Sequence, residues 1–224
     1  MQYKLKKIRS DASFREFFRL KKGNKTSIIV TARKERFRNL VAYSAINKFL
    51  RGKGIHTPKT ISQHFNEGIM EIEDFGDNTL FHSIRKSKNI FPHYKKSINV
   101  ILKLQKIKTI NKIKIKLDRN LKLNNYNIKY LHKDSDLFLN WYLPGVLGKR
   151  KSKKFKKKIK IELNKLYKQI YFKNKFIVHR DFHVSNIIPV KNKLGIIDTQ
   201  DVILGNPMYD VASLIDDVRI QIPL

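Results

Sequence analysis

Residues 176–201 read FIVHRDFHVSNIIPVKNKLGIIDTQD, and this stretch limits the fold of the 224-residue chain more than any other. A short apolar run, Phe176, Ile177 and Val178, has strand character and delivers His179, Arg180 and Asp181 at its end. Asn186 follows five residues after Asp181, and Asp198 twelve residues after Asn186. Ile187-Ile188 and Gly195-Ile196-Ile197 flank a turn over residues 191–194, which predicts a β-hairpin. Strand, loop and hairpin thus carry two carboxylates and one carboxamide toward a common point. Phosphoryl transfer needs such a set: one carboxylate orients or deprotonates the attacking hydroxyl, while an amide oxygen and a second carboxylate hold Mg²⁺ on a triphosphate. Dividing the roles keeps the base free of the metal.

The remainder of the chain predicts a small sheet-plus-helix region followed by a helical one. Residues 14–20 and 26–31 read as strands joined through Gly23-Asn24. Phe37, Leu40, Val41, Ala45 and Phe49 then follow helical spacing, and the helix should stop at RGKG, residues 51–54. Strands are expected over residues 59–64 and 68–73, leading into Asp74-Phe75-Gly76-Asp77. From Thr79 the pattern turns helical, with Ile98, Ile101, Leu102 and Gln105 on one face and Pro92 near the start of that helix. Residues 136–143 are apolar enough for a buried helix ended by Pro144-Gly145, with Trp141 as a core indole in preference to a sugar-stacking one. Residues 211–220 read as a further helix. The fold class expected is α+β.

Charge adds less than its size promises. Lys and Arg number 49 against 18 Asp and Glu, a formal net charge of +31, which raises the question of a nucleic-acid or anionic-membrane partner. The excess is spread along the chain. In its densest stretch, residues 149–160, nine of twelve positions are basic, and Phe155, Ile159, Leu163, Leu166 and Ile170 mark an apolar helix face there. The basic residues are then the solvated remainder of that helix, and aromatics do not interleave them as in a nucleic-acid stacking platform. No nucleic-acid partner is expected, although +31 would steer a polyanion such as ATP toward the protein. No run of 18 apolar residues argues for a membrane span, and the start MQYKLKKIRSDAS lacks the apolar core of a secretory signal. Without cysteine there is no disulfide framework, zinc–thiolate site or thiol nucleophile. A cytoplasmic monomer is expected.

Five blocks carry a family resemblance: SDASFREFFRL (10–20), MEIEDFGD (70–77), LFLNWYL (137–143), VHRDFHVSN (178–186) and GIIDTQDVILGNPMYDVASLIDD (195–217). In this order they resemble the aminoglycoside phosphotransferase and choline kinase superfamily, the small-molecule branch of the protein-kinase-like fold. Within it they are most similar to the bacterial kinases that phosphorylate N-acetylmuramate and N-acetylglucosamine at the anomeric hydroxyl. The resemblance implies a two-lobed molecule, with residues 1–77 as nucleotide-binding lobe and 78–224 as catalytic and acceptor-binding lobe. It implies ATP and Mg²⁺ as cofactors and a small sugar as acceptor. By position, Asp181 resembles the catalytic base and Asn186 and Asp198 the Mg²⁺ ligands. Ser13 would face the ATP phosphates, and Glu73 to Phe75 would meet the adenine edge through the backbone. Asp210 resembles a buried brace of the catalytic loop, with His179 and Arg180 as further buttresses. Asp201 is open between the metal or sugar shell and a loop role, and His183 is expected to face solvent or pack the loop.

The chain departs from the protein-kinase pattern in several places. The phosphate loop has no G-x-G-x-x-G, so SDASF would cradle phosphate through backbone amides. Residues 27–31 contain no lysine, which leaves Arg33 or Lys34 as nearby cations, and residues 37–49 contain no glutamate for a lysine–glutamate ion pair. Asp198 is followed by Thr-Gln in place of Phe-Gly, and no A-P-E follows, which argues against a protein kinase. The chain also stops where family members continue with acceptor-lobe helices, as a minimal version or an incomplete reading frame. The alternatives are a related small-molecule kinase with an aminoglycoside- or choline-like acceptor, and a truncated, non-catalytic ATP- or nucleic-acid-binding protein.

Overall fold

The structure is a computed structural model that describes residues 3–8, 15–32, 38–108, 110, 112–116 and 119–222. These form two compact units, Met1–Asn124 with Lys175–Leu224, and Asn125–Asn174. The first unit opens with strands β1 (Tyr3–Ile8), β2 (Arg15–Lys22) and β3 (Lys25–Ala32), then helix α1 (Arg38–Gly52), then β4 (Thr60–His64) and β5 (Ile69–Glu73). The strands form one antiparallel sheet in the order β1-β2-β3-β5-β4. The predicted hairpin, helix and strands are all present. β1 was not expected, because its YKLKKI sequence carries little apolar alternation.

Register decides what one face of this sheet presents. Arg15, Phe17 and Arg19 of β2 pair with Ala32, Val30 and Ile28 of β3, and Val30 and Ile28 pair in turn with Met70 and Ile72 of β5. Directly paired residues share a face of the sheet. The apolar members pack with Leu40 and Tyr43 of α1 into one core cluster. Farther along, α1 places Ile46 and Leu50 in a second, larger cluster, so successive turns of one amphipathic stripe serve two cores. Each fully buried aliphatic side chain contributes roughly 1.5–3 kcal/mol of transfer free energy. The helix ends where expected: Gly54, at φ 82°, donates to Arg51 O, and Ile55 N–H reaches back to Leu50 O.

The turn from β4 into β5 hinges on Gly68. Its φ is 70°, and a Cβ there would lie 2.2 Å from the carbonyl oxygen of Ala32, whose N–H donates to Gly68 O at 2.8 Å. A side chain would strain the turn and push β5 away from β3. Gly68→Ala is therefore expected to lower the unfolding free energy by about 2 kcal/mol or more, read from the urea midpoint at constant m-value. An unchanged midpoint would refute this account of the turn.

The larger core is completed by α2 (Leu80–Arg85), α3 (Phe91–Lys106), the hairpins β6 (Lys112–Lys116)/β7 (Arg119–Lys122) and β9 (Ile187–Val190)/β10 (Lys193–Ile196), the pair β8 (Phe176–Val178)/β11 (Ile203–Gly205), and α6 (Tyr209–Ile215). The face assigned to α3 needs correction. Ser97, Ile101 and Leu104 are its buried positions, while Leu102 is exposed. Residues 211–220 are helical only to Ile215.

The second unit comprises α4 (Ile128–Leu137), a π-helical stretch (Phe138–Tyr142) and α5 (Leu143–Gln169). Asn127 caps α4 by accepting from Lys129 N–H at 2.9 Å. Two expectations fail here. Residues 136–143 are not a buried helix: Leu139 and Leu143 are buried, but Trp141 is 75% exposed, so it is no core indole. Nor does Pro144 end the helix. It sits in the first turn of α5, where a missing N–H costs nothing, and the break comes at Gly148, with φ 75° and ψ 157°. The basic stretch is helical as predicted, but Phe155, Leu166 and Ile170 are exposed, and burial falls on Ser152 and Tyr167. Among the described residues no helix is long and apolar enough to cross a membrane.

Candidate active site

β8 is buried and hands the chain to His179 and Arg180. The loop beyond it is held by an aspartate from α6. Asp210, 2% exposed, accepts the N–H of His179 at 2.8 Å on one oxygen and that of Arg180 at 3.0 Å on the other. This double acceptance steadies Arg180, a non-glycine residue at φ 78°. Burial pushes the Asp210 carboxyl upward, against the pull of those two donors. The buried His179 ring donates from Nε2 to Ile197 O at 2.9 Å and accepts from Asp181 N–H at Nδ1, 3.3 Å away. These partners set the orientation of the ring and tie the loop to the hairpin. The buttress roles expected of His179 and Asp210 match this geometry.

Asp181 is exposed, and no described residue hydrogen-bonds its carboxylate. Its carbonyl does the structural work, accepting from His183 N–H and from Asn186 Nδ2, both at 3.0 Å. Asn186 Nδ2 also donates to His183 Nε2 at 3.2 Å. With its nitrogen engaged twice, Asn186 keeps Oδ1 as the atom able to meet a cation. His183 is half-buried against this loop, and burial pushes its pKa down, so it is a packing histidine. On the far side Asp217 accepts Val184 N–H at 3.1 Å. Burial alone would push the Asp217 carboxyl up, but hydrogen bonds from Arg219 and Val184 hold it below the usual carboxylate range.

The β9/β10 hairpin returns the chain beside this loop, with Ile197 N–H donating to Asn186 O at 3.1 Å. Asp198 follows in the left-handed region, at φ 63°, a conformation aspartate tolerates better than most residues. One of its oxygens accepts from Arg15 at 2.8 Å. The next residue, Thr199, is fully buried and donates from Oγ1 to Oδ1 of Asn47 on α1 at 2.7 Å.

Asp181, Asn186 and Asp198 line one cleft of about 800 Å³, together with Arg15, Arg19, Glu73, Asp74, Phe75, Gln200 and Asp201. The connector after β5 forms a wall of it. Asp74 and Asp77 clamp Arg19, whose Nε lies 2.6 Å from Asp74. Burial alone would push the Asp74 carboxyl up, but Arg19 and the Gly76 N–H hold it below its ordinary range. Asp77 and Asp74 in turn raise the Arg19 pKa above its ordinary value. Phe75 lies over Gly195, where a Cβ would fall 2.5 Å from its ring, and 4.7 Å from the His56 ring. One oxygen of the Glu73 carboxylate accepts from Arg51 at 3.2 Å and from Lys59 N–H at 3.1 Å, and the Glu73 N–H donates to Lys59 O at 2.9 Å.

Of the six residues assigned from the sequence to base, metal or nucleotide, five, Glu73, Phe75, Asp181, Asn186 and Asp198, line this cleft. Ser13 lies outside the described residues, as do Arg33 and Lys34. Asp201 lines the cleft half-exposed, 3.9 Å from Arg180 and accepting from Gln200 at 3.0 Å. Sequence reasoning missed Arg15, Arg19, Asn47 and Asp217. The first two carried a usable signal, because with Phe17 they alternate along β2 and must share a face. The hard oxygens of Asn186 Oδ1 and Asp198 suit Mg²⁺, the balance of whose six ligands phosphate oxygens and water would supply.

A model of the phosphotransferase enzyme family matches residues 4–223. The N-acetylmuramate/N-acetylglucosamine kinase of Pseudomonas aeruginosa is 24% identical over 216 residues, 96% of this chain and 60% of that protein. Its counterpart in Pseudomonas putida is 26% identical over 214 residues, again 96% and 60%. The chain thus spans about 60% of the length of these curated relatives. Among solved structures, ADP-bound aminoglycoside phosphotransferase APH(2'')-Ib superposes with a TM-score of 0.62 at 17% identity, covering 96% of this chain and 72% of its own. The α+β, protein-kinase-like fold expected from the sequence is the fold of this chain.

Proposed function

Because this chain belongs to the phosphotransferase enzyme family, we propose that it transfers the γ-phosphoryl group of ATP to a hydroxyl of a small amino sugar. N-acetylmuramate and N-acetylglucosamine are the acceptors named for its relatives, and their anomeric hydroxyl is the one proposed here to be phosphorylated. One observation carries the reading: Asp181 and Asn186, on a loop braced by Asp210 and His179, line a single cleft with Asp198, which follows the β9/β10 hairpin. The Asp181 carboxylate, which no described residue hydrogen-bonds, takes the proton of the acceptor hydroxyl as the hydroxyl oxygen bonds to the γ-phosphorus and the bond to the ADP oxygen breaks. Asn186 Oδ1 and the Asp198 carboxylate would hold Mg²⁺, which when bound would neutralise charge on the phosphates. The backbone at Glu73 to Phe75 meets the adenine, and Ser13 the phosphates. In this reading residues 1–77 supply the nucleotide wall and 78–224 the catalytic loop, and ATP as donor places the reaction in the cytoplasm.

The test is ADP release by the purified chain with Mg-ATP and each sugar in turn, with an aminoglycoside and choline as comparison acceptors. Turnover that depends on N-acetylmuramate or N-acetylglucosamine and disappears in Asp198→Ala is the expected result. Turnover only with an aminoglycoside or choline would keep the kinase and overturn the acceptor. No turnover and no Mg-ATP binding would overturn the whole reading.

A further inference from the structure

β3 brings no cation to the cleft. The residues that share the face of Arg15, Phe17 and Arg19 are Ala32, Val30 and Ile28, all buried and apolar. Among the described residues, the cations of this face that line the cleft are on the neighbouring strand, β2. Arg19 is committed, because Asp74 and Asp77 together accept four hydrogen bonds from its guanidinium. Arg15 is differently placed. Its side chain is 7% exposed, its guanidinium lies over the rings of Phe17 at 5.6 Å and Tyr43 at 5.8 Å, and it forks between Asp198 Oδ1 and Gln200 Oε1, each at 2.8 Å. Burial pushes the Tyr43 hydroxyl up to about 12, so the ring beneath Arg15 is neutral at physiological pH.

The carboxylate held by Arg15 is the one assigned above to the metal. We propose, on the basis of the phosphotransferase reading, that Arg15 is a phosphate-binding cation of this cleft and releases Asp198 to the metal when the triphosphate arrives. A metal alone must compete with a guanidinium for Asp198. It would also leave that guanidinium without this carboxylate in a nearly dry site, which is costly. A metal that arrives with a triphosphate brings the replacement anion with it. Arg15 then exchanges a carboxylate for phosphate oxygens, which suit its fork equally well. The aromatic shelf holds the guanidinium at the cleft wall through the exchange. One oxygen of Asp198 is thereby held by Arg15 before the nucleotide binds, and metal and nucleotide bind with positive coupling.

The experiment compares wild type with Arg15→Met and Arg15→Lys in three titrations: Mn²⁺ alone by electron paramagnetic resonance, and Mg-ATP and adenosine by calorimetry. Thermal unfolding verifies that each variant is folded. Arg15→Met is expected to weaken Mg-ATP binding about 10- to 100-fold, the loss of a charged hydrogen-bonding group, and to leave adenosine binding within threefold. The same variant should bind Mn²⁺ alone several-fold more tightly, because the competitor for Asp198 is gone. Arg15→Lys should recover part of the Mg-ATP affinity. These opposite signs separate the exchange from a structural role, since a distorted cleft would weaken both ligands. Wild-type Mg-ATP affinity in Arg15→Met, or weaker Mn²⁺ binding, would overturn the proposal while leaving the kinase reading in place. A wild-type chain that binds no Mg-ATP would overturn both.

Discussion

Asp181→Asn is expected to slow sugar phosphorylation by about 10³-fold while leaving the Kd for Mg-ATP within threefold. The expectation rests on what the side chain does not touch. The loop is held by Asp210, by His179 and by the main-chain carbonyl of Asp181, and none of these involves its carboxylate. Asparagine is nearly the same shape and leaves that scaffold in place, but it has no oxygen able to take the hydroxyl proton. Single-turnover rates with saturating Mg-ATP, beside calorimetric binding, separate chemistry from affinity. A rate within tenfold of wild type would remove Asp181 from the role of base and make Asp201, on the same cleft, the next residue to change.

Asp210→Ala should show the largest loss of stability, about 3–5 kcal/mol in urea unfolding. Its two oxygens accept two main-chain donors in a site 2% exposed. Each donor left without a partner there costs roughly 1–3 kcal/mol. The positive φ of Arg180 also loses the contact that steadies it. Asp210→Asn is expected to fall between the two, since one amide oxygen still accepts while the NH₂ group opposes a second donor. A loss below 1 kcal/mol in the alanine variant would mean that water satisfies both N–H groups and that Asp210 is not the brace.

The site was legible wherever its parts lie close together along the chain. Asp181, Asn186 and Asp198 fall within eighteen residues, and the apolar runs around them already specify strand, loop and hairpin. The elements around α1 were legible for the same reason: caps, turns and periodicity are local. Arg15 was not, because its meaning depends on a partner 183 residues away. Asp217 reads as one of two adjacent surface acids until Val184 is placed beside it. In the second unit local cues misled. Pro144 signals a helix end only if it lies in a helix interior, and at the first turn of α5 it signals a beginning. The apolar run that includes Trp141 resembles a core segment, yet its spacing buries little more than Leu139 and Leu143. Apolar content alone does not state which face a helix buries.

The bond between Thr199 and Asn47 sets a limit on how this protein can be controlled. Where an ion pair fastens a helix to a nucleotide site, salt, a competing charge or a phosphate group can pry the two apart. Here the fastening joins a hydroxyl to an amide, both uncharged and both buried. It is blind to ionic strength, and swinging α1 outward would strand two polar groups at once. The Arg51–Glu73 ion pair in the last turn of α1 is open to salt, so this uncharged bond is the part of the fastening that salt leaves in place. Raising salt is then expected to loosen the last turn of α1 at Arg51 while the turn at Asn47 stays docked.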